Sequence, residues 1–132
     1  LIFIDTPTSL RPLTKAALIA SDAVIAVADP SPFAVIGLIQ LAQGLSSLKE
    51  KFGSSPTLLG VVVNMVERTK VSEEVLETVS NLIGRERVLG VIPKTVKARQ
   101  AILYRKPIHK FASGTPLQEA IFNLAERIKE VL

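Results

Sequence analysis

Short apolar runs that alternate with longer stretches of helical spacing restrict this sequence to a small group of folds. The runs are residues 1–5 (LIFID), 23–28 (AVIAVA), 58–64 (LLGVVVN) and 87–92 (RVLGVI). They are continuous rather than alternating and rich in Val and Ile, as strands covered on both faces are. Helical spacing fills the gaps, over 11–20, 32–52 and 73–83, and two further helices are expected at 96–103 and 116–132. Ser31 and Ser72 stand where N-caps belong, and Gly53 and Gly84 where helices end. Strand followed by helix, repeated, predicts right-handed parallel crossovers. The expected fold is therefore α/β, an open and mostly parallel sheet of about four strands with helices on both faces, within a single domain over 1–132.

Several classes of function drop out early. The chain has no Cys and one His, His109, which excludes thiolate zinc sites and cysteine nucleophiles and disfavours histidine chemistry. The longest uncharged stretch, 30–48, is interrupted by Pro, Gln, Gly and Ser, so it reads as a buried helix rather than a transmembrane segment. No basic region precedes an apolar run at the start, so no export signal is expected. In the last helix, Leu117, Ile121, Leu124, Ile128 and Val131 share a face, and the mixed charge of the other side favours packing on the sheet over a membrane.

Ligands of open parallel sheets bind beyond the carboxyl ends of the strands. Polar residues collect there: Asp5, Thr6 and Pro7 after the first run, Asp29 after the second, Asn64 on the third, Pro93 and Lys94 after the fourth. A carboxylate such as Asp5 suits a water of Mg²⁺, and an Asn amide offers a donor and an acceptor to a purine edge. Both residues also have the ordinary alternative of shaping turns. Between Glu86 and Glu119 there is no acid, while Arg87, Lys94, Lys97, Arg99, Arg105, Lys106 and Lys110 all fall there. That segment suits a phosphate backbone, or equally a solvated helix face.

Taken in order, "LIFIDTPTSLRPLTKAALIASDAVIAVADPSPFAVIGL", "GVVVNMVERTK", "VIPKTVKARQAILYRKPIHKF" and "TPLQEAIFNLAERI" resemble the C-terminal half of the ParA/Soj/MinD group, deviant-Walker P-loop ATPases that position plasmids, chromosomes and division sites. The resemblance implies ATP and Mg²⁺ as cofactors of the full-length parent, a cytoplasmic homodimer switched by nucleotide, non-specific DNA and a partition adaptor protein as partners. It implies that Asp5 stands on the Mg²⁺ shell through water, and that Thr6 and Pro7 belong to the switch that senses the γ-phosphate. Asn64 would contact adenine, Pro93 and its loop would close over the base, and Lys94, Lys97, Arg99 and Arg105 would contact DNA.

The sequence also departs from that pattern. It contains no G-x-x-x-x-G-K-[ST] and no Lys-Gly-Gly variant, so the loop and lysine that hold phosphates are not in it. Without them phosphoryl transfer is incomplete, and the chain by itself is expected to be inactive. Gln100 and Arg105 replace residues that are often acidic and Gly in the family, which makes the loop more basic. The chain thus reads as a fragment whose first strand has lost its neighbour and leaves an apolar edge. The alternative expectation is a non-enzymatic remnant that binds DNA or a partner protein through the basic segment; a related P-loop role in metal-cluster assembly or polysaccharide export is also compatible.

Overall fold

The computed structural model describes residues 1–53 and 55–132. Its sheet has three parallel strands, β1 (Ala23–Ala28), β2 (Thr57–Val66) and β3 (Val88–Pro93), in the order β1-β2-β3. The helices are α1 (Pro12–Ile19), α2 (Phe33–Phe52), α3 (Lys70–Ile83), α4 (Val96–Leu103), α5 (Ile108–Phe111) and α6 (Pro116–Val131). A single 3₁₀ turn, Arg85–Arg87, leads into β3.

Each crossover helix buries its apolar stripe on one face of the sheet. Ala34 and Leu38 of α2 and Val75 and Val79 of α3 pack with Ala26, Val61 and Val63. Val61, Val63 and Val79 are completely enclosed there. A second cluster joins Leu18 of α1 to Leu45 and Leu48 of α2, with Leu10 and Val24 at its margin. The opposite face is covered by α6, whose Leu124 lies against Gly90 of β3. That cover stops short of β1: Val27, in register with Val62 and so on the same face, is 68% exposed.

The first expected strand is a correction. Residues 1–7 form no strand and are exposed, with Leu1 and Ile2 each 88% accessible. LIFID has the composition of a strand, but an extended segment becomes one only when a neighbour supplies its ladder. Among the described residues no strand lies beside it. Two caps also shift. Thr69, not Ser72, caps α3, its Oγ1 accepting from the Ser72 N–H at 3.2 Å. Ser31 donates to Asp29 Oδ1 at 2.8 Å instead of capping α2, which starts behind Pro32.

Candidate functional site

Parallel pairing brings the carboxyl ends of all three strands to one edge, and β2 and β3 are locked together there. Val66 pairs with Pro93, and the Lys94 N–H donates to the Val66 carbonyl at 2.9 Å. Before this last pair the ladder slips: Val63 pairs with Val91 and Val66 with Pro93, so β2 spends one residue more than β3 over the same span. The surplus forms a bulge at Asn64 and Met65, a device that re-aims a side chain next to a site. Met65 adopts a left-handed φ of 59° and is half exposed. Its N–H donates to Asn64 Oδ1 at 2.9 Å, which orients the amide. Asn64 is thus two residues inside β2, not at its end.

Beside this bulge lies a cleft of about 640 Å³ lined by Val66, Glu67, Arg68, Pro93, Lys94, Thr95, Lys97, Thr115, Pro116 and Leu117. Pro93, Val66 and Leu117 give it apolar walls. Two helices start at its wall. Thr95 Oγ1 accepts from the Lys97 N–H at 3.2 Å, and Thr115 Oγ1 caps α6. Gln118 completes the second cap by accepting from the Gly114 N–H and donating to the His109 carbonyl, both at 2.8 Å. Arg68, Lys94 and Lys97 make the rim positive, while Glu67 pairs with Lys94 across the gap between the β2 and β3 loops. Both partners are about half exposed, so the pair is worth under about 1 kcal/mol and can exchange with solvent or ligand.

The sequence-predicted residues divide accordingly. Pro93, Lys94 and Lys97 line the cleft, and Asn64 stands on β2 two residues before its Val66 wall. Arg99 and Arg105 are exposed on α4 and the turn after it. Asp5, Thr6 and Pro7 lie on the unpaired segment and line no part of the cleft. Asp5 is a single carboxylate on that segment, and no group of three or more acidic or His side chains suited to a metal occurs among the described residues. One exposed carboxylate supplies a single ligand or water contact of an Mg²⁺ octahedron and does not complete it alone, and the sequence holds no phosphate-cradling G-x-x-x-x-G-K-[ST] loop. Among the described residues the cleft thus gathers Pro93, Lys94 and Lys97, while Asp5 stands apart from it. Met65, Glu67 and the α6 wall were not singled out by sequence; the Thr115-Pro116 helix start was their one visible signal.

Solved structures of other proteins share this fold. The AAA domain family profile matches residues 1–58. An uncharacterized protein of Methanocaldococcus jannaschii, MJECL24, is 32% identical over 98% of this chain and 51% of its own length. The chromosome-partitioning ATPase Soj of Thermus thermophilus is 30% identical over 97% of this chain and 52% of its own. Among solved structures, the septum site-determining protein MinD of Pyrococcus horikoshii, complexed with Mg-ADP, superposes with a TM-score of 0.75 at 20% identity, covering 96% of this chain and 49% of that one. The chain spans about half the length of the curated relatives it matches.

Proposed function

This chain belongs to the ParA/Soj/MinD family as a partial chain, and we propose on that premise that it supplies the base-binding and DNA-facing half of a partition or positioning ATPase. The observation that carries the proposal is the bulge on β2, where Asn64 is held by the Met65 N–H beside a cleft walled by Pro93. The adenine end of ATP would rest there, with Asn64 Nδ2 donating to a ring nitrogen and Pro93 against the base. In a longer parent Asp5 would hold Mg²⁺ through water, with Thr6 and Pro7 as the switch beside it. The parent would act as a cytoplasmic homodimer, with a partition adaptor as a further partner. No described helix is long and apolar enough to cross a membrane.

The basic rim supports a second contact, with the phosphate backbone of DNA, through Lys94, Lys97, Arg99 and Arg105. It is sequence-independent by nature, since phosphate contacts position without specifying bases.

Residues 1–132 are expected to bind adenosine weakly, and MgATP no more tightly, because this chain has no phosphate cradle. Titration followed by amide resonances of Asn64, Lys94 and Thr95 tests this, with guanosine as control and Asn64→Ala as the site variant. Equal shifts with guanosine, or unchanged shifts in Asn64→Ala, would falsify the base site. Tight MgATP binding by this chain alone would show that the phosphates are held here by other means.

A further inference from the structure

We propose that the turn closing α4 is the leading DNA-phosphate contact of this chain, with Arg105 and Lys106 presented by a strained Schellman turn. The proposal rests on the nucleic-acid contact above and specifies how it is built. The Lys106 N–H donates to the Ala101 carbonyl at 2.9 Å and the Arg105 N–H to the Ile102 carbonyl at 3.0 Å. These are the paired bonds of a Schellman turn, whose residue after the cap must be left-handed and is usually Gly. Arg105 occupies that position at φ 52°. Gly53, Gly84 and Gly114 take the positive-φ positions that follow α2 and α3 and precede α6, so the chain supplies Gly at other helix ends. At this one it keeps a long cation despite the strain.

The surroundings give that cation no partner. Ion pairs among the described residues join Lys94 to Glu67, Arg127 to Glu130 and Lys129 to Glu126. None includes Arg99, Arg105, Lys106 or Lys110, all of which are exposed. The negative end of α4 accounts for a cation in this region, yet Lys106 would serve it with Gly at 105 and no strain. The turn is also braced: Tyr104 stacks on Phe111 of α5 with ring centroids 5.6 Å apart. Lys94, by contrast, is engaged by Glu67 and must exchange partners before it can meet a phosphate.

A cation carried on a backbone turn held by two hydrogen bonds is presented from a set position to a fixed array of phosphates. Fluid anionic headgroups would rearrange around a relaxed one equally well. A lipid surface would instead draw on the neighbouring Ile102 and Leu103, which are 79% and 76% exposed.

The test measures anisotropy of random-sequence duplex DNA with residues 1–132 against NaCl concentration, alongside sedimentation with phosphatidylserine vesicles. Arg105→Gly is expected to melt roughly 3–5 °C higher than the parent chain. The same variant should lower the slope of log affinity against log salt by about 0.9, the loss of one phosphate contact. Stability and affinity then move in opposite directions, so unfolding cannot explain the loss. Lys106→Gln should lower the slope similarly, Ile102→Ser/Leu103→Ser should leave it unchanged, and Glu67→Gln should raise affinity by freeing Lys94. Absence of salt-dependent binding by the parent chain overturns the nucleic-acid contact itself. A parent that binds while Arg105→Gly and Lys106→Gln keep its full slope overturns only the role of the turn. Lower melting of Arg105→Gly overturns the strain, and vesicle binding lost with Ile102→Ser/Leu103→Ser in place of DNA binding assigns the surface to lipid.

Discussion

At Met65 the backbone adopts a conformation that its side chain opposes, at φ 59°, and the side chain recovers little by burial because it is half exposed. Met65→Gly is therefore expected to stabilise the chain by about 0.5–1 kcal/mol, read from the midpoint of urea denaturation. Asn64→Ala serves as the control that removes the amide and leaves the strain. Asn64 was legible in sequence because a polar residue on an apolar run is conspicuous. Met65 was not, because its φ follows from a slip in the β2–β3 register, a pairing of residues far apart in the chain. Arg105 was legible as a charge and not as a strained residue, since a Schellman turn normally announces itself by Gly. Lys94 was legible as a cation, but its Glu67 partner lies 27 residues away and depends on the sheet being formed.

At the scale of elements, local signals were sufficient wherever the structure is local. The helix expected over 96–103 is found as Val96–Leu103, and the strand over 23–28 as Ala23–Ala28. The α3 cap moved three residues because Thr69 and Ser72 are both good caps, and the earlier one encloses more of the helix. LIFID failed as a strand for the opposite reason, since pairing is not a property of the segment itself. Gly60 shows how tightly the paired strands constrain composition. A Cβ there would come within 2.3 Å of the Arg87 carbonyl oxygen and 2.7 Å of Leu89 Cγ. The first neighbour is backbone and cannot turn aside. Gly60→Ala is expected to lower unfolding free energy by about 2–3 kcal/mol, with amide exchange accelerating first in β3.

Across the molecule, both outer strands, β1 and β3, have one unpaired edge among the described residues. They differ in cover: a face of β3 is backed by α6, whereas Val27 of β1 is exposed, as is the apolar segment 1–4. Isolated residues 1–132 are expected to self-associate as concentration rises, and Val27→Lys to suppress this; sedimentation velocity would show it as a fall in weight-average mass. A fully monomeric parent chain at high concentration would mean that β1 is protected by some other means. The single methionine of the sequence happens to be the strained residue of the β2 bulge, next to Val66 of the cleft. A ¹³C label in its methyl group would give one line in the whole spectrum, so the protein carries its own reporter on the bulge of β2.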